Sequence, residues 1–151
     1  MLENAQTFRG DPQKVAVMGE SAGGNLAIGV SMMARDAGLP APKHQVLVYP
    51  VAGMDMDNES YVENADAKPL NKPMMKWFVK HIFANEADAQ DPRIDIVEKA
   101  NLSGLPSTTV ICAGGGGGAG GCVWANAGVA ARPNRRGRAK RSIEWPLVAR
   151  N

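Results

Sequence analysis

Gly19-Glu20-Ser21-Ala22-Gly23 sets a serine between small residues in the spacing G-x-S-x-G. A serine hydroxyl is a weak nucleophile until its backbone lifts it clear of its surroundings and a base accepts its proton. The spacing serves the first need when the serine stands directly after a buried strand and directly before a helix. There the chain turns so sharply that bulk two positions before or after the serine would clash. Gly19 and Gly23 are the small residues such a turn requires. The N–H of Ala22, first in the helix, is placed to donate to an oxyanion, and the positive end of the helix dipole supports the same charge. By itself the pattern arises by chance in a chain rich in Gly and Ala, so its flanks decide its meaning.

The flanks supply the elements that the turn needs. Lys14-Val15-Ala16-Val17-Met18 is a short apolar run between Asp11-Pro12 and Gly19, which predicts a buried strand. Residues 22–37 carry Leu26, Val30 and Met33 at helical spacing and stop at Gly38 and Pro40, which predicts a helix. Gln45-Val46-Leu47-Val48-Tyr49 before Pro50 predicts a second buried strand, giving a strand, helix, strand unit suited to a right-handed parallel crossover. Residues 51–71 are irregular. Residues 73–83 place Met74, Trp77, Phe78 and Ile82 on one helical face, expected to pack on the sheet or over the site. After the turn signal Asp91-Pro92-Arg93, Thr108-Thr109-Val110-Ile111-Cys112 predicts a third buried strand. Alternation of this kind predicts an α/β fold with a mostly parallel sheet.

The string from Val15 to Ala27, with Gly19-Glu20-Ser21-Ala22-Gly23-Gly24 at its centre, closely resembles the nucleophile region of the hormone-sensitive-lipase-like esterases of the α/β-hydrolase fold, whose elbow reads G-[DE]-S-A-G-G. Val48-Tyr49-Pro50, Ser60-Tyr61, Glu63-Asn64-Ala65, Trp77-Phe78, Asp91-Pro92-Arg93 and Leu102 to Ile111 resemble the same family in its usual order, so the resemblance covers about residues 1–113. It implies a carboxylic ester hydrolase acting on small-molecule esters through a Ser, Asp and His triad, with no cofactor and no metal. Ser21 carries over as the nucleophile and Ala22 as an oxyanion donor. The family's acid, in a D-P-L-R-like loop after the strand matching 108–112, has glycines in its place here, and the family's His-Gly segment has no match. His44, before a strand, and His81, on the Trp77-Phe78 helix, read as surface or packing histidines. The family's H-G-G-G-like loop belongs before the elbow, in a stretch expected ahead of Met1. The chain is therefore expected to be an incomplete esterase, weakly active or inactive, and a fragment with no catalytic role is the alternative.

Charge divides the chain. Residues 1–113 hold ten Lys/Arg against fourteen Asp/Glu, and residues 114–151 hold seven against one. This predicts a partial α/β-hydrolase domain over 1–113 and an irregular Gly-rich, then basic, tail over 114–151, disordered or read out of frame. A frameshift is favoured because Gly, Ala, Arg and Pro, the residues of GC-rich codons, make up 24 of those 38 positions. Gly115, Gly117 and Gly120 satisfy a phosphate-loop spacing, but a glycine run does so trivially and no Lys-Ser/Thr follows. The arginines could neutralise nucleic-acid phosphates, yet no stacking platform or recognition helix accompanies them, so a nucleic-acid partner is not expected. Two cysteines, Cys112 and Cys122, form neither a disulfide framework nor a metal-ligand spacing, and no run reaches membrane-span length. A cytoplasmic setting away from membranes is expected.

Overall fold

A computed structural model describes residues 4–112 and 141–144. The expected Gly-rich segment and most of the basic tail, residues 113–140 and 145–151, lie outside the described residues. The strand, helix, strand unit is present as β1 (Ala16–Glu20), α1 (Ala22–Asp36) and β2 (His44–Val48), followed by α2 (Glu59–Glu63), α3 (Lys72–Ile82), α4 (Ile96–Lys99) and β3 (Ser107–Cys112). β1 begins two residues later than the apolar run suggests, and it is not buried as expected: its residues are exposed or half-buried, with Met18 72% exposed. The reason for the late start is local: Asp11 accepts a hydrogen bond from the Gln13 N–H at 2.8 Å and caps a short 3-10 turn over Pro12–Lys14. α1 ends as expected, with Gly38 in the left-handed region at φ 63°.

β1, β2 and β3 pair in parallel, with Glu20 beside Val48 and Val48 beside Ile111. Where no element was expected, Arg141–Glu144 forms a fourth strand, β4, antiparallel to β3 with Ile143 opposite Val110. Four residues with one apolar side chain leave no period to read, and their pairing is a property of the edge that β3 offers rather than of their own pattern.

The core lies between α1 and one face of the sheet. Ala27, Ile28 and Met32 pack with Leu47, Val110, Ala52 and Ile96, and burying an Ile, Leu or Val side chain stabilises by about 1.5–3 kcal/mol. The face of α1 turned inward is not the expected one. Leu26, Val30 and Met33 are 67%, 52% and 57% exposed, while Ala27, Ile28, Ser31 and Met32 are buried. Both faces of this helix carry apolar residues at i, i+4 spacing, so period alone could not choose between them. Arg35 fixes the far end of α1 by donating to the carbonyls of Asn101 and Ser103 at 2.6 and 2.8 Å. Among the described residues no helix is long and apolar enough to cross a membrane.

Candidate active site

Ser21 occupies the one-residue junction between β1 and α1, at φ 50° and ψ −121°. A non-glycine residue there is strained, and persists only where its surroundings over-determine it. Its N–H donates to the Val48 carbonyl at 2.9 Å, and its own carbonyl accepts from Gly24 and Val51, both at 3.0 Å. These bonds hold the backbone and leave the side chain unused: the hydroxyl does not cap α1.

The steric demands of the turn are sharper than the motif suggests. A Cβ on Gly19 would lie 2.0 Å from the Gly23 carbonyl oxygen, so any side chain there breaks the turn. Gly23 was expected to be small for its own sake, but a Cβ on it would meet nothing within 4 Å. Its backbone, not its missing side chain, is what Gly19 contacts. The second tight glycine is Gly24, where a Cβ would approach Pro50 Cβ to 2.7 Å.

Ala22 opens α1, so its N–H has no carbonyl four residues earlier to bond and points where the helix dipole is positive. Beside it lies a cavity of about 430 Å³, lined by Ser21, Ala22 and a mostly apolar wall that includes Leu26, Met54, Met75 and Phe78. α3 lines the cavity through Met75, Phe78, Val79 and Ile82, although Ile82 is itself 65% exposed; of the face expected to pack, Met74 and Trp77 do not line it. Tyr61 is buried in the wall, and burial pushes its phenol up from the ordinary 10.

Asn25 was not singled out from the sequence. Its Nδ2 donates to the carbonyls of Val51 at 2.8 Å and Ile94 at 3.2 Å, tying the first turn of α1 to two loops of the cavity wall. Since Val51 also donates to Ser21, a closed circuit of hydrogen bonds joins the turn and the wall. Next to the turn, the Tyr49 hydroxyl donates to Glu20 Oε2 at 2.6 Å, bridging the ends of β1 and β2, and this hydrogen bond raises the Tyr49 pKa. No signal in the sequence beyond their place around the motif could have found either pair.

The two histidines stand apart from Ser21. His44 pairs with Ala16 at the start of β1, so the five residues to Ser21 place it roughly 16 Å away along the strand. Its ring nitrogens lie within hydrogen-bonding distance of Ser107 Oγ, 2.8 Å, and Thr109 Oγ1, 2.9 Å. His81 is exposed on α3, stacked on Trp77 at 4.2 Å with Nδ1 2.8 Å from the Trp77 carbonyl oxygen, and does not line the cavity. The buried carboxylate Asp95 does not line it either, and its Oδ1 has no partner among the described residues. No cluster of metal-ligating side chains occurs among the described residues.

A strained serine at a strand-to-helix turn, at the carboxyl end of a parallel strand, is the arrangement of the α/β-hydrolase fold, and the model of that family matches residues 1–132. The chain belongs to the α/β-hydrolase fold family. The match continues past Ala113, where the resemblance read from the sequence stops. The chain is 37% identical over 108 residues to a carboxylesterase, NlhH, of Mycobacterium tuberculosis, covering 69% of this chain and 34% of that protein. It is 33% identical over 94 residues to ethyl acetate hydrolase of Pseudomonas putida, covering 62% and 30%. Among solved structures it resembles a hyperthermophilic esterase from the archaeon Pyrobaculum calidifontis, with TM-score 0.68 and 37% identity over 72% of this chain and 36% of that one. The metagenomic carboxylesterase EstE1 is similar at TM-score 0.65 and 36% identity, covering 71% and 37%. The chain thus spans about a third of the length of the curated relatives it matches.

Proposed function

We propose that this chain carries the nucleophile, one oxyanion donor and an apolar substrate cavity of a carboxylic ester hydrolase. The observation that carries the reading is the Ser21 backbone at φ 50°, held by its neighbours with the side chain facing an apolar cavity. Ser21 Oγ attacks the ester carbonyl carbon as a base takes the hydroxyl proton. The carbonyl oxygen becomes an oxyanion and accepts from the Ala22 N–H, and the tetrahedral intermediate collapses with loss of the alcohol to leave an acyl-serine. Water then releases the acid. The ester carried is uncharged where it meets Met54, Met75 and Phe78, since a charge there would be desolvated without a partner. A cytoplasmic setting, suggested by the sparse cysteines, is part of the same proposal.

Neither His44 nor His81 can serve as the base from its position, so the chain alone is expected to turn over little faster than background, its triad members acting as a unit. Free imidazole provides the test. Hydrolysis of p-nitrophenyl butyrate is expected to exceed that of Ser21→Ala only slightly without imidazole, and to gain a Ser21-dependent increment when imidazole is added. An imidazole increment identical in Ser21→Ala would overturn the reading.

A further inference from the structure

A second cavity, of about 400 Å³, adjoins the first. Met56, Val79 and Phe83 line both and form the partition between them. The rest of its lining includes Ala84, Asn85 and two exposed lysines, Lys76 and Lys80, one helical turn apart on α3. Neither lysine forms an ion pair among the described residues. Two neighbouring carboxylates have hydrogen-bond partners of their own: Asp57 bonds Lys72 Nζ at 2.7 Å while also feeling the charge of Lys76, and Asp88 Oδ2 accepts from the N–H groups of Ala84 and Asn85 at 3.1 and 3.2 Å. Asn85 accepts from the Asp88 N–H through Oδ1, which leaves its amide hydrogens to donate. An anion here is opposed by the C-terminal end of α3, with about half a unit of negative charge, and by Asp88 and Asp57, which keep their charges, and is attracted by Lys76 and Lys80, with Lys72 offsetting Asp57.

We propose that this cavity binds a medium-chain carboxylate, with its alkyl part against Met56, Val79 and Phe83 and its carboxylate on Lys76 and Lys80. Charge and chain are both required. A carboxylate alone gains only an exposed ion pair, which is weak in water, and a neutral chain of the same length leaves the lysines hydrated and unpaired. Hydrolysis of an ester at Ser21 would release an acid of this class on the other side of the partition. That role as a product site rests on the esterase reading above, while the binding itself does not.

Titration calorimetry with octanoate, octanamide and acetate on the purified chain tests the proposal. Octanoate is expected to bind several-fold more tightly than octanamide, with acetate undetected, and the preference to fall as salt is raised. Lys76→Gln/Lys80→Gln should abolish the preference, and Ser21→Ala should keep it, so that failure of the nucleophile assignment and failure of this site are separable. Equal affinity for acid and amide, or a preference that survives the double substitution, would overturn the proposal. The salt dependence of the unaltered chain decides the matter if the double variant does not fold. Sedimentation with vesicles of phosphatidylcholine and phosphatidylglycerol should leave the chain in solution; co-sedimentation that depends on the two lysines would replace the free acid by a lipid surface.

Discussion

A Cβ placed on Gly19 would stand 2.0 Å from the carbonyl oxygen of Gly23, so the two ends of the turn around Ser21 meet backbone to backbone. That contact makes the two glycines unequal. Gly19→Ala must displace backbone and is expected to lower stability by more than about 3 kcal/mol, in the range of strain at a special backbone position. Gly23→Ala has open space and a better helix former, and should change stability by less than about 1 kcal/mol. Urea unfolding of the two variants checks this, and equal losses would show that the motif's glycines act alike.

Asn25 predicts a different response to charge than to truncation. Asn25→Asp turns a donor to two carbonyl oxygens into a carboxylate facing them, and is expected to cost about 3 kcal/mol or more. Asn25→Ala removes the donor without adding repulsion and should cost less, about 1–2 kcal/mol. Denaturant midpoints that rank the two variants in the opposite order would mean that the circuit through Val51 and Ile94 does not hold the turn.

Asp91 gives a pH dependence. The Arg93 guanidinium, at 2.9 Å from Oδ1 and 2.6 Å from Oδ2, together with the Arg93 N–H at 2.8 Å, holds its carboxyl at about 2, below the ordinary 3.8. A depressed carboxylate contributes stability that is present above the unfolded value and lost as pH falls through the folded one. The melting temperature is therefore expected to fall between about pH 4 and pH 2, and Arg93→Gln should reduce the fall. An unchanged acid profile in that variant would remove the pair from the account.

The parts of the fold that could be read in advance are those whose local pattern and tertiary role agree. β1, α1 and β2 lie where an apolar run, a helical period and a glycine stop place them, and β3 lies where the run ending at Cys112 places it. The reading failed where two local solutions were equally good. α1 has apolar residues on both faces, and the sheet selected Ala27, Ile28 and Met32 over Leu26, Val30 and Met33. α2 and α4, of five and four residues, are too short for any period, and are set by the chain around them. At the site, Ser21 and its turn were legible because the chemistry demands a fixed spacing. Asn25, the approach of Gly24 to Pro50 and the cavity wall were not, since each depends on loops that meet the turn from 26 or more residues away.

The most direct measurement is exhaustive labelling of the chain with a fluorophosphonate at alkaline pH, followed by peptide mapping. Hydroxide then replaces the base, and what distinguishes one serine from another is exposure and the stabilisation of the charge that develops on attack. Label is expected to collect on the half-buried Ser21, through the Ala22 N–H and the α1 dipole, ahead of Ser103 and Ser107, which are more exposed. Label spread over the exposed serines, or absent from Ser21, would contradict its assignment as the nucleophile.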